Sequence, residues 1–179
     1  GWRHSMAGQS ERTGETMYEK SIELLNKAVA DEMQAVHQYM YFHFHCEDQG
    51  YESLSRLFLR TAIEEMHHVE RCAERILFLE GEVEMEAAGP VEKIHEVKAM
   101  LERARAMEDQ SRKDYNVWAN ECAAQNDAGS RKVFEGLIDD EERHYSQYDL
   151  EVQRLAKLGE RYLALSTLKG GEPAVGEAD

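Results

Sequence analysis

The sequence predicts an all-α protein, a bundle of four long helices with a short fifth helix near its C-terminal end. Three observations carry this. Only two prolines, Pro90 and Pro173, occur in 179 residues, so nearly the whole chain is free of helix breakers of that kind. Charged residues make up 32% and aromatics 8%, a mixture that suits amphipathic helices and leaves little for a sheet. Apolar residues also recur at helical spacing through four separate segments.

The first segment runs from about Met17 to Cys46 through Ile22, Leu25, Val29, Met33, Val36, Met40 and Phe44, and Gly50 breaks it. The second runs from about Glu52 to Glu80 through Leu54, Leu57, Phe58, Ile63, Val69 and Ile76, and Gly81 ends it. Residues 82–90 carry three glutamates, Gly89 and Pro90 and read as a connector. A third helix extends to about Gln125, and Asn126 or Asp127 can cap the fourth, which passes Val133, Leu137, Ile138, Tyr145, Tyr148 and Val152. Tyr162 to Leu165 is short and apolar, enough for a turn or two of helix or for a simple tail. The folded domain is expected over residues 17–168. Residues 1–16 are expected to be a disordered leading segment, with Gly1 to Ser5 reading as a cloning remnant ahead of Met6, and residues 169–179 a disordered tail.

Composition also narrows function. A net charge of −15 is the wrong sign for gripping a phosphate backbone, so no nucleic-acid partner is expected. No apolar run approaches the roughly 20 residues a spanning helix needs, so no membrane partner is expected. Three cysteines are too few, and odd in number, for a disulfide framework. A reducing cytoplasm is the expected compartment.

The four helices form two hairpins, and the second repeats the first at an offset of 76 residues: Glu32 maps to Glu108, Tyr39 to Tyr115, Cys46 to Cys122, Phe58 to Phe134, Glu65 to Glu141 and His68 to His144. Identity is otherwise low, so the matches fall where chemistry would need them. Each Glu-x-x-His pair, Glu65/His68 and Glu141/His144, lies on one helix face, because residues three apart are neighbours. A further glutamate precedes each pair by 33 residues, Glu32 and Glu108. With a turn midway, both helices of a hairpin run about 24 Å from turn to ligand, so the glutamate and its pair share one height. Two such hairpins face to face gather four carboxylates and two imidazoles. That is the ligand set of the ferritin-like di-iron or di-manganese carboxylate bundles. Carboxylates offset the charge of two M²⁺ ions, and without metal their mutual repulsion and burial would be costly.

At these residues the sequence resembles the bacterioferritins. The resemblance lies in Glu32-Met-Gln-Ala-Val-His-Gln-Tyr39, in Glu65-Met66-His67-His68 followed by Arg75-Ile-Leu-Phe-Leu-Glu-Gly81, and in Asp140-Glu-Glu-Arg-His144, and it covers about residues 17–168. It implies a ferritin-like four-helix bundle with a long crossover between helices 2 and 3. It also implies a cytoplasmic homo-oligomeric cage, often of 24 subunits, that oxidises Fe²⁺ with O₂ or H₂O₂ and stores the ferric product, with a ferredoxin-type protein as reductant. Glu32, Glu65, His68, Glu108, Glu141 and His144 match the iron ligands. Met66 matches a methionine that binds haem from each of two symmetry-related subunits; following Glu65, it points about 100° away from the metal face. Tyr39, two turns from Glu32, is either a redox donor to the site or a buried tyrosine bonded to a carboxylate.

In such a fold helices 2 and 3 run parallel, so the connector must travel the length of the bundle. A third helix beginning at Val91 would leave a gap of about 50 Å for ten residues, beyond their reach at ~3.5 Å each. An extended crossover including Pro90 to Ile94, with the helix starting near His95, closes it. Some residues depart from the family pattern. Arg60 stands where some relatives carry a histidine of an auxiliary iron site, though Glu64 nearby can bind cations. Cys72 replaces a common tyrosine and is either a redox-active thiol or a small buried hydrophobe. Cys46 and Cys122 fall at opposite ends of the bundle and are not expected to pair. His37, His43, His45 and His67 are expected at the surface or an interface. Two rival readings keep the metal site: a twelve-subunit mini-ferritin for peroxide defence, and a cage-free rubrerythrin-like oxidase or peroxidase, although no Cys-x-x-Cys segment is present.

Overall fold

A computed structural model describes residues 18–168; the expectations for 1–16 and 169–179 lie outside the described residues. Five helices follow in order: α1 (Glu19–Asp48), α2 (Glu52–Phe78), α3 (Val97–Ala124), α4 (Ala128–Leu158) and the short α5 (Glu160–Leu165). The long helices pack as two antiparallel hairpins, α1 with α2 and α3 with α4, which meet through α1 against α3 and α2 against α4.

Local chemistry explains the ends. Gly50, at φ +85°, makes the left-handed turn out of α1 that a side chain would strain. Helix α2 stops at Phe78, two residues before the expected end, because Glu80 already takes φ 63°. Gly81 must follow, since a Cβ there would lie 2.8 Å from the Ile22 side chain. At the second turn Asn126 takes the positive φ, which asparagine tolerates, and Asp127 is the cap, accepting from the Ser130 backbone N–H at 3.0 Å.

The connector carries no helix from Gly81 to Glu96, with a left-handed residue at Met85 (φ 51°) and a bend at Ala88–Gly89, and it spans the length of the bundle as the reach argument requires. It is stitched along α1. Asn26 donates to the Glu82 carbonyl at 2.8 Å and the Ala88 N–H to the Ala30 carbonyl at 3.0 Å. Gln38 donates to the Glu92 carbonyl and accepts from its N–H, and Gln49 donates to the His95 carbonyl. The contacts advance steadily up α1, so α3 starts beside the C-terminal end of α1 and runs parallel to α2.

Two apolar clusters fill the bundle. One contains Tyr39, Phe42, Phe58, Met100, Leu101 and Tyr148, and α5 closes it with the buried Tyr162. The other contains Leu24, Leu25, Ile76, Tyr115, Phe134 and Leu137. Cys46 belongs to the first and Cys122 to the second; both are free, as expected. The predicted metal ligands lie in neither cluster but between them. No helix among the described residues is long and apolar enough to cross a membrane.

Candidate metal centre

Antiparallel pairing puts one glutamate of each hairpin's first helix opposite the Glu-x-x-His of its second, and all six residues are brought together with 1% exposure or less. Their donor atoms form two overlapping groups, each within 4.8 Å throughout. One is Glu32, Glu65, His68 and Glu141; the other is Glu65, Glu108, Glu141 and His144. Glu65 and Glu141 belong to both. The arrangement therefore offers two adjacent positions, each with its own glutamate and histidine and with two shared carboxylates.

Seven buried polar atoms of these residues have no hydrogen-bond partner: Glu32 Oε2, Glu65 Oε1, His68 Nδ1, Glu108 Oε2, both oxygens of Glu141, and His144 Nδ1. Their closest polar neighbours are one another: His68 Nδ1 lies 2.9 Å from Glu141 Oε1, and His144 Nδ1 lies 3.2 Å from Glu65 Oε1. Buried polar atoms are normally paired, and a cluster satisfied only from within is what a pair of cations would serve. Hard oxygens with one imidazole per position suit iron or manganese.

Other side chains aim the donors. Tyr39 donates to Glu108 Oε1 at 2.5 Å, and Tyr115 donates to Glu32. Each tyrosine thus holds a carboxylate of the opposite hairpin. His68 Nε2 meets Asp140 Oδ2 at 2.8 Å and His144 Nε2 meets Glu64, so both imidazoles turn Nδ1 inwards. Sequence reading singled out Tyr39 but gave Tyr115, Glu64 and Asp140 no role at the centre. The 76-residue offset pairs Tyr39 with Tyr115 and Glu64 with Asp140, and was the signal that could have found them.

Crowding of charge shifts the acidities. Burial, then the charges of Glu32 and Glu108, holds Glu65 well above the usual carboxylate range. Burial, then Glu65, Glu108 and Glu32, does the same to Glu141. Burial works against charging His68, but bonds to Glu32 and the neighbouring carboxylates outweigh it and raise the pKa to about 9. For His144 burial is likewise outweighed, by Glu108 and Glu65, and the value rises to about 11. Burial drives all three nearby phenols, Tyr39, Tyr115 and Tyr148, well above the ordinary value, so they remain donors.

A cleft of about 160 Å³ between α1 and α3 reaches the centre, where Glu65 and Glu108 form part of its wall; Asp31, Gln34, Gln38 and Asp114 are also among its lining. Asp31 is raised to about 6 by burial and then by Asp114. A larger cleft of about 680 Å³ beside α5 contains none of the six residues.

Met66 stands 44% exposed on α2, off the metal face. Cys72 is sealed in the second cluster, and burial pushes its thiol far up, which favours the buried-hydrophobe reading over a redox thiol. Glu64 is engaged by Arg143 and His144. His37 and His67 are exposed, and His43 and His45 are half-buried.

A protein-family model described as the ferritin-like domain matches residues 22–158. A bacterioferritin of Desulfovibrio desulfuricans is 36% identical over 145 residues, 81% of each chain. The chain belongs to the bacterioferritin family. A bacterioferritin of Brucella melitensis is 34% identical over 154 residues, 86% of this chain and 96% of that one. The fold agrees with an X-ray structure of the Desulfovibrio desulfuricans bacterioferritin, described with its diiron site in different catalytic states. The TM-score is 0.83 at 34% identity, over 91% of this chain and 94% of that one.

Proposed function

We propose that this bacterioferritin oxidises Fe²⁺ at the paired positions and stores the ferric product inside a homo-oligomeric cage. The observation that carries the reading is the sharing of Glu65 and Glu141 between two donor groups whose inward atoms contact only one another. Glu32 and His68 would hold one iron and Glu108 and His144 the other, with Glu65 and Glu141 available to both positions. The bound pair supplies redox chemistry in which each Fe²⁺ gives up one electron to O₂ or H₂O₂.

The protein's part is electrostatic and geometric. Four carboxylates offset two M²⁺ ions, and their anionic oxygens stabilise a +3 ion more strongly than a +2 ion. Tyr39 and Tyr115 keep Glu108 and Glu32 aimed inwards, and Asp140 and Glu64 fix the histidine tautomers. Asp31 and Asp114 give the α1–α3 cleft an anionic lining suited to incoming Fe²⁺. Tyr39, bonded directly to a ligand, is placed to act as a redox donor as well as a positioning group.

The same reading assigns haem to Met66. The residue is 44% exposed, and a twofold axis through that face would offer two such methionines to one haem iron. A cage of 24 subunits in the cytoplasm, served by a ferredoxin-type reductant, completes the reading. The test is light scattering of the purified protein with the Soret band recorded, alongside stopped-flow Fe²⁺ oxidation. The expected result is a particle near 24 subunits with about one haem per two chains, and Met66→Ala losing the Soret band while keeping iron oxidation. A particle near twelve subunits would favour a mini-ferritin, and a small haem-free species would overturn cage and haem together.

A further inference from the structure

Arg143 precedes His144 on α4, and its side chain is 47% exposed. Its Nη2 donates to Glu64 Oε2 at 2.6 Å and lies 3.4 Å from Asp140 Oδ1, while Nη1 lies 3.4 Å from Glu64 Oε1. The same Glu64 oxygen meets His144 Nε2, and the other oxygen of Asp140 meets His68 Nε2 at 2.8 Å. His144, Glu64, Arg143, Asp140 and His68 are therefore one connected chain across the α2–α4 face of the centre. It joins two imidazoles that serve different metal positions.

The geometry points to Arg143 as a positioning residue that clamps the carboxylates behind both imidazoles, with the His144 position depending on it more. The inequality follows from what else each carboxylate holds. Asp140 sits three residues from Arg143 on the same helix and has a second cation, Arg71, at 3.6 Å. Glu64 is 37% exposed, and its partners among the described residues are Arg143 and His144. Without the guanidinium, a half-exposed carboxylate gains more from turning to water than from staying on an imidazole. His144 would then lose the contact that fixes its tautomer and ring angle, whereas His68 would keep Asp140. The internal repeat does not supply a substitute. The position equivalent to Arg143 is His67, which lies 3.7 Å from Glu70 and takes no part in this chain.

This inference rests on the two-metal reading, and its test separates the two. Iron-stripped full-length protein is titrated with Co²⁺ by its visible absorption, in the wild type and in Arg143→Gln and Arg143→Lys, and the unfolding midpoint of each metal-free protein is recorded. The wild type is expected to bind two Co²⁺ per chain. Arg143→Gln should keep one position at wild-type affinity and weaken the other about tenfold, the lower end of the loss typical for outer partners of metal ligands. Arg143→Lys should recover part of that loss, as it keeps the charge without the fork. The metal-free midpoint should move little, because the side chain is half in water. Unchanged affinity at both positions in Arg143→Gln overturns the assignment. Equal weakening of both positions with a lowered midpoint also overturns it, by reducing Arg143 to a structural role. A wild type that binds no Co²⁺ pair overturns the two-metal reading itself.

Discussion

Tyr39 and Tyr115 occupy equivalent places in the two hairpins and perform the same task, each donating to a carboxylate of the opposite hairpin. What stands behind them differs. Tyr39 belongs to a parallel aromatic stack, 5.8 Å and 7° from Tyr148, with Phe58 packed against both, and the Tyr148 hydroxyl pairs with Thr61 at 2.6 Å. Tyr115 is backed by tilted rings, Trp118 at 5.6 Å and Phe134 at 5.7 Å. The 76-residue offset carries Tyr148 onto Cys72 and Thr61 onto Leu137, so a bonded polar pair on one side is a sulfur and an alkyl group on the other. The comparison separates two kinds of constraint. The proposed metal donors match in type and position in both halves, whereas the packing around them needs only to fill its space.

The largest effect should come from the residues both halves share. Glu65→Ala or Glu141→Ala removes a donor from both positions, and Fe²⁺ oxidation followed by stopped-flow absorbance should fall about 100-fold or more, beyond the loss typical of outer partners. A Glu65→Ala protein that oxidises iron at the wild-type rate would break the idea of shared ligands.

Tyr39→Phe and Tyr115→Phe sharpen the contrast. Each leaves a buried carboxylate oxygen without its phenol, so each metal-free protein should lose about 1–3 kcal/mol in denaturant unfolding. If Tyr39 is also a redox donor, Tyr39→Phe alone should slow iron oxidation; equal slowing by both would reduce Tyr39 to positioning. One step further out, Thr61→Val leaves the Tyr148 hydroxyl buried without its partner and should cost about 1 kcal/mol, with no counterpart at Leu137.

The smallest effect concerns the turns. Asp127 caps α4 and pairs with Arg75 at 2.7 Å, while the equivalent residue before α2 is Tyr51, which makes no side-chain cap. Asp127→Ala should cost about 1 kcal/mol. Burial raises the Asp127 pKa, but bonds from Ser130, Ser21 and Arg75 outweigh it and set the folded value below 3.8. The contribution is therefore complete above that value and lost as pH falls through the lower folded one. The deficit of Asp127→Ala against wild type should shrink in acid unfolding below about pH 4.

Most of the fold was legible because its signals are repetitive. Helical periodicity gave the elements, and the reach of an extended chain gave the crossover before any contact was known. The six donors were legible because a 33-residue spacing recurs 76 residues later. The side chains that hold them were harder to see. A glutamate such as Glu64, on a chain rich in acidic residues, looks like solvated surface until the helix beside it is known, and the cap at Asp127 was ambiguous with Asn126 until backbone angles chose between them. The stitching of the crossover was hidden as well, because Asn26, Gln38 and Gln34, which donates to the Pro90 carbonyl at 3.4 Å, read as an ordinary polar stripe on α1.

That stitching reaches beyond topology. Gln38 grips the Glu92 backbone at both ends of its amide, Arg103 of α3 bonds the Glu92 carboxylate at 2.9 Å, and both Gln38 and Arg103 line the cleft that leads to Glu65 and Glu108. The crossover is in effect a drawstring on the doorway to the buried carboxylates. A change in residues 90–94, far from any donor atom, would alter how wide that doorway stands.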